Sequence, residues 1–273
     1  MGLLRPPLGI LTATVRATGR SWDALLLDID GVLHVGSDPI DGASEVLQVL
    51  RARDVPFRLV TNTTSRSRRL VVQGLVELGF EVSDREVLTP AALAVRHCRA
   101  QGYDRVALHV ADALREDLDE LGDRQQDDVQ AVVLGDLGTD FTYARLNAIF
   151  RQLQGGAELV ALQRNRVWQR EDGLVLDAGP FVVALEYATG REATVTGKPS
   201  PAFFAAALDD LGVPGGEVAM IGDDVEADVG GALSAGLDGV LVQTGKFRAE
   251  TLAASGVQPT LVLRSIADLI GLL

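Results

Sequence analysis

The sequence predicts an α/β protein built on a parallel sheet, with a second α/β unit inserted into the first. Three observations carry this reading. Short, continuous apolar runs alternate with amphipathic stretches of helix length from Trp22 onward. Several of those runs end abruptly in polar residues, as buried parallel strands do at their carboxyl ends. The runs also fall into an early and a late group separated by about 100 residues that carry their own strands and helices.

In order along the chain, residues 24–29 form an apolar run ending in acids, and residues 57–60 form a second that ends in Thr61 and Asn62. Between them, Val46, Leu47 and Leu50 give residues 43–53 helical spacing. Residues 65–78 read as a helix with Leu70, Val71, Leu75 and Leu78 on one face, closed by Gly79. The middle group, 88–190, has strand-like runs at 106–110, 131–134 and 159–162 and a helix at 141–153. The late group continues with strands at 193–196, 218–221 and 239–242 and helices at 201–211 and 225–235. The expected organisation is a core of residues 21–87 and 191–273, an inserted domain of 88–190, and a loose extension of 1–20.

Composition narrows the function. The chain has 273 residues, is 47% apolar and carries a formal net charge of -13. Polyanion surfaces draw their affinity from clustered Lys and Arg, so neither nucleic acid nor an anionic membrane is expected as a partner. No run approaches the roughly 18 apolar residues of a membrane-spanning helix. A single cysteine, Cys98, reads as a packed helix residue and points to a reducing compartment, hence a cytoplasmic protein. The basic residues number 25, and only Lys198 and Lys246 among them are lysines. A lysine in so arginine-rich a chain invites a reason. Lys246 follows the last of these strands and carries no assignment.

Four strand ends bear reactive residues: Asp28 and Asp30; Thr61 and Asn62; Lys198; and Asp223, with Asp228 close behind. Open parallel sheets bind ligands at these ends, so adjacent strands would bring the four groups into one cleft. Each motif alone also suits a solvated turn or an acidic helix start. All four in order, each closing an apolar run, favour a site. Asp28, Asp30 and Asp223 would repel one another without a cation, and an oxygen-only donor set favours Mg²⁺ over zinc. Such a metal, with Lys198 and backbone amides, would supply the positive potential that attracts a phosphate dianion. A carboxylate nucleophile suits phosphoryl transfer in two steps. The chain has no Gly-x-Gly-x-x-Gly and no P-loop, and its three histidines show no metal or triad arrangement.

Asp-Ile-Asp-Gly at 28–31, Val-Thr-Asn-Thr-Thr at 60–64, Gly-Lys-Pro-Ser at 197–200 and Ile-Gly-Asp-Asp-Val-Glu-Ala-Asp at 221–228 resemble the four motifs of the haloacid dehalogenase-like hydrolase superfamily. The insert between the second and third motifs resembles the cap of subclass IIA, the NagD type, and the match extends over about residues 23–270. The resemblance implies a Rossmann-like core with a C2-type α/β cap. It implies that Asp28 attacks phosphorus and that Asp30 acts as general acid and then base. Thr61 and Asn62 would bind the phosphoryl group, and Lys198 would hold both it and the nucleophile. Mg²⁺ would be held by Asp28, the backbone carbonyl of Asp30 and Asp223, with Asp228 behind them. A substrate-specificity loop is implied within residues 163–171, where Arg164, Asn165, Arg166 and Trp168 cluster.

The activity so implied is Mg²⁺-dependent hydrolysis of a small phosphomonoester, a phosphorylated metabolite, through an aspartyl-phosphate. Hydrolysis of phosphohistidine, phospholysine or inorganic pyrophosphate is the nearest alternative. A regulatory protein that binds a phosphoryl ligand with little turnover is a second. The sequence leaves monomer and homodimer open.

Overall fold

Strands buried on both faces must be apolar at every position, and that is how the runs in this chain are used. The computed structural model describes residues 15–17, 20–124, 128–170, 173–213 and 217–273. Its larger sheet has six strands in the order Leu261–Leu263, Asp238–Val242, Val218–Gly222, Ala24–Asp28, Phe57–Val60 and Val87–Leu88. All neighbours run parallel. Successive side chains of the central strand point to opposite faces. Leu25 and Leu27 join Val46, Leu47 and Leu50 of the helix Ala43–Ala52, together with Ile266 and Leu269. Ala24 and Leu26 pack instead with Phe203, Phe204 and Ala207 of the helix Pro201–Leu211.

A second parallel sheet of four strands has the order Thr194–Val195, Glu158–Ala161, Ala131–Leu134 and Val106–His109. The helix Pro90–Ala100 and the short segment Asp112–Leu121 cover one face through Ala94, Val95, Leu114 and Leu118. The helices Tyr143–Gln154 and Gly179–Thr189 cover the other through Ile149, Leu153, Val182 and Leu185. Cys98 is buried beneath this sheet, as its helical spacing predicts.

Three elements differ from the sequence reading. Residues 193–196, expected among the core strands, supply Thr194–Val195 to the edge of the four-stranded sheet, beside Glu158–Ala161. The Thr194 hydroxyl donates to Glu158, and Thr196 N donates to Ala161 O at 2.9 Å, so local polar pairing fixes its neighbour. Within the expected loose extension, Val15–Ala17 pairs antiparallel with Arg20–Trp22; Trp22 is buried, and its indole N–H donates to Asp238 Oδ2 at 2.7 Å. Residues 1–14 of that extension lie outside the described residues. The expected helix 225–235 begins as a π-helical turn, Val225–Gly230, and becomes α-helical at Gly231–Ser234. The wide turn arises where both Asp228 N and Val229 N donate to Asp224 O, at 3.1 and 3.3 Å. Among the described residues, no helix is long and apolar enough to cross a membrane.

Candidate active site

Register places the reactive residues in one row. Ile221 lies opposite Leu27, and Asp28 lies opposite Val60. Asp28 ends its strand level with Gly222 and Val60, so Asp223 and Thr61 follow one residue further on the two neighbouring strands, at the same carboxyl edge. Lys198 reaches the same point from the chain that returns from the second sheet.

Three carboxylates and one ammonium form the buried centre. Lys198 is 2% exposed. Its Nζ donates to Asp28 Oδ1 at 2.6 Å and lies 2.7 Å from Asp228 Oδ1, an ion pair outside good hydrogen-bond angles. The other oxygen of Asp228 accepts from Asp224 N at 3.1 Å. Asp223 Oδ2 accepts from Lys246 N at 2.6 Å, while its Oδ1 is buried with no hydrogen-bond partner among the described residues. One oxygen from each of Asp28, Asp223 and Asp228 lies within 4.8 Å of the others.

Electrostatics follow from this crowding. Burial raises the Asp28 carboxyl well above its ordinary range, and Asp228 and Asp223 add to the rise against the opposing pull of Lys198. Asp223 is pushed up to about 7 by burial and then by Asp228, against the Lys246 amide and ammonium. Burial works against the charge on Lys198, yet Asp228 and Asp28 outweigh it and hold the ammonium firmly protonated. Three carboxylates against one ammonium leave a formal excess of two negative charges. A hard divalent cation fits this set: the donors are all oxygen, and Asp223 Oδ1 is buried without a hydrogen-bond partner among the described residues.

Close backbone approach shapes the surroundings. Gly31, at φ +85°, lies so near Asp223 that a Cβ there would fall 1.9 Å from Oδ2; one on Gly222 would fall 2.2 Å from Asp228 Oδ2. Thr61 is buried, and its Oγ1 accepts from Thr63 N at 3.0 Å, which leaves the hydroxyl proton to donate.

Other residues take places that the motifs do not specify. Asn62 clamps Lys198: its Oδ1 accepts from Lys198 N at 2.8 Å, and its Nδ2 donates to Lys198 O at 2.7 Å. Expected at the phosphoryl group, the Asn62 amide is thus already engaged in positioning the lysine. The Asp228 carboxylate lies in the same buried cluster as Asp28 and Asp223. The Asp30 carboxylate is exposed, outside the buried cluster and 3.9 Å from His34 Nε2. Lys246, unassigned in the sequence, caps Asp223 through its backbone. Its rarity as a lysine was the available signal.

The residues expected to face substrate lie on the second unit. Arg164 pairs with Glu186 at 2.6 Å within that unit. Arg166 pairs with Glu226, just past Asp223 and Asp224, at 3.1 Å. Asn165 Oδ1 accepts from Asn62 Nδ2 at 3.4 Å, so this loop touches the catalytic edge directly. Trp168 is half-buried on the hairpin strand Val167–Arg170.

Comparison with known proteins adds an independent line. Residues 25–124 match the family model described as haloacid dehalogenase-like hydrolase, and residues 195–269 match a second, described as HAD-hydrolase-like. The chain is 44% identical over 233 residues to the bovine (Bos taurus) haloacid dehalogenase-like hydrolase domain-containing protein 2, covering 85% of this chain and 88% of the relative. It is 39% identical over 230 residues to the human (Homo sapiens) phospholysine phosphohistidine inorganic pyrophosphate phosphatase, covering 82% and 84%. Among solved structures, the p-nitrophenyl phosphatase from Archaeoglobus fulgidus superposes with a TM-score of 0.86 at 29% identity, covering 92% of this chain and 99% of that one. The glycerol phosphate phosphatase from Mycobacterium tuberculosis in complex with magnesium gives 0.80 at 30% identity, covering 91% and 76%. With the row of acids, Thr61 and Lys198 at the sheet's carboxyl edge, these matches place the chain among the haloacid dehalogenase-like hydrolases, as a phosphatase of that family.

Proposed function

We propose that this phosphatase hydrolyses a small phosphomonoester with Mg²⁺, through an aspartyl-phosphate on Asp28. The observation that carries the reading is the buried Lys198, which bridges Asp28 and Asp228 beside the bare oxygen of Asp223. Lys198 holds Asp28 Oδ1, so the second oxygen of Asp28 is the one free to attack phosphorus. The new bond forms from that oxygen as the bond to the leaving oxygen breaks, and Asp30 gives the leaving oxygen its proton. Asp30 then takes a proton from water, whose oxygen attacks phosphorus and releases phosphate from Asp28. Thr61 donates to a phosphoryl oxygen, and Asn62 keeps Lys198 in place. Asp28, Asp223 and the backbone carbonyl of Asp30 would hold Mg²⁺, with Asp228 orienting the set; when bound, the ion supplies charge that offsets the carboxylates and the incoming dianion.

Residues 88–190 act in this reading as a cap that excludes water and selects the leaving group through Arg164, Asn165, Arg166 and Trp168. A lone, buried Cys98 suits a reducing compartment such as the cytoplasm. The purified protein is expected to hydrolyse p-nitrophenyl phosphate with Mg²⁺, to stop with EDTA and to recover when Mg²⁺ is restored. Absence of turnover, with orthovanadate still bound, would favour the regulatory-protein alternative. The 39% identity to a phosphatase named for phospholysine, phosphohistidine and pyrophosphate favours a second substrate reading. A panel of those three against sugar and nucleotide monoesters decides between them by kcat/KM.

Metal binding should depend on pH with a definite sign. A carboxyl raised in the folded state keeps a proton that the unfolded chain has released, so this contribution is fully present at low pH. It is lost as pH rises from about 4 through the value of about 7 held by Asp223. Without metal, the protein should therefore lose stability across that window. Mg²⁺ competes with those protons, so the rise in Tm that it produces is expected to be larger near pH 8 than near pH 5.5. Thermal melts at both pH values check this; an equal or reversed increment would count against the carboxylate site.

A further inference from the structure

Both lysines of this arginine-rich chain converge on one carboxylate cluster, from opposite degrees of burial. Lys198 lies at the bottom with its ammonium committed to two acids at 2.6 and 2.7 Å. Lys246 lies at the rim: its side chain is 50% exposed, and its Nζ is 3.7 Å from Asp224 Oδ2, too long for a hydrogen bond. Its root is fixed. Lys246 N donates to Asp223 Oδ2 at 2.6 Å. The Thr244 hydroxyl donates to Gly31 O at 2.5 Å, and Gly245 packs so closely that a Cβ there would lie 2.5 Å from Gly31 Cα. The three-residue turn thus ties the nucleophile loop to Asp223 and leaves one half-exposed cationic tip beside them.

We propose that Lys246 is a phosphate-positioning residue, whose ammonium binds the anionic oxygens of the incoming phosphoryl group or its leaving group. Charge arithmetic gives the reason. Three buried carboxylates, the Lys198 ammonium and a divalent cation sum to zero, and a phosphate dianion brought to that centre has no net attraction. Lys246, 3.7 Å from Asp224 and not hydrogen-bonded to it, can turn its positive charge to the incoming phosphate. Nearby Arg166 is already paired with Glu226 at 3.1 Å.

This inference rests on the phosphatase reading, and its test separates the two. Wild-type turnover of p-nitrophenyl phosphate with Mg²⁺ tests that reading first, without any variant. Calorimetry on the full chain then measures Mg²⁺ alone and inorganic phosphate in the presence of Mg²⁺, for wild type and Lys246→Met. The expected result has opposite signs. Phosphate affinity falls about tenfold and KM rises by a similar factor, because one charge contact to a desolvated anion is lost. Mg²⁺ affinity holds or tightens, because a like charge beside the cation has gone. Recovery of phosphate affinity in Lys246→Arg supports the charge assignment. Phosphate affinity within twofold of wild type in Lys246→Met overturns the proposal. So does joint weakening of phosphate and Mg²⁺ with a lower Tm, which would mark Lys246 as a structural prop of Asp223. If wild type proves inactive, the same binding measurements still decide the role of Lys246 while the phosphatase reading falls.

Discussion

Asp28→Asn is expected to reduce kcat for p-nitrophenyl phosphate by roughly 10³-fold or more at saturating Mg²⁺ while leaving the fold intact. The exchange keeps shape and removes one charge from a centre that holds three carboxylates against one buried ammonium. Burial and the neighbouring acids already press Asp28 towards its neutral form, so a neutral amide relieves repulsion rather than adding strain. Lys198 keeps Asp228 as a partner at 2.7 Å. The variant should therefore melt at or above the wild-type temperature in the absence of metal, although it cannot form the acyl phosphate. Steady-state kinetics give the first half of this expectation and thermal melts the second. Acid-quenched wild type should carry phosphate on the chain, and the variant should carry none. Wild-type kcat in Asp28→Asn would refute the assigned nucleophile.

The residues that make this argument possible differ in how well the sequence announces them. Asp28, Thr61 and Asp223 were legible because a parallel sheet buried on both faces turns polar abruptly where it ends, and ligands bind there. Lys198 was legible by rarity. Asn62 was found, but its contact with Lys198 was not: its amide pairs with a backbone 136 positions away, and no local pattern encodes that contact. The place of the Asp228 carboxylate beside Asp28 and Asp223 depends on the π-helical turn after Asp224, a register shift that apolar spacing does not reveal. The strand Thr194–Val195 was legible as a strand, but its sheet was not. Two half-buried residues carry too little pattern to choose between sheets, and the choice falls to Glu158 and Ala161. Lys246 shows the reverse case, in which composition flagged a residue whose place only the folded chain explains.

Lys198→Met should be the most damaging single change to both stability and turnover, with an effect that depends on pH. Met matches the length of the side chain but leaves Asp28, Asp223 and Asp228 buried together without an ammonium. Breaking a buried pair in this way costs about 3–5 kcal/mol where the orphaned charges stay ionised. They can escape that cost by taking up protons. Lys198 opposes the rise at Asp28, so its removal raises that carboxyl further, and the folded variant binds protons that the unfolded chain has released. Its stability is then retained at low pH and lost as pH rises through the raised values. The deficit relative to wild type should be small near pH 5 and largest near pH 8. Mg²⁺ should recover part of the high-pH loss, because a cation replaces some of the missing charge, whereas activity should stay at least ~10²-fold down for want of the group that holds the nucleophile. Melts across this pH range, with and without Mg²⁺, separate the charge effect from simple loss of packing: a deficit that is uniform in pH and indifferent to Mg²⁺ would mean that Lys198 acts by filling space, and the electrostatic account of the site would fail with it.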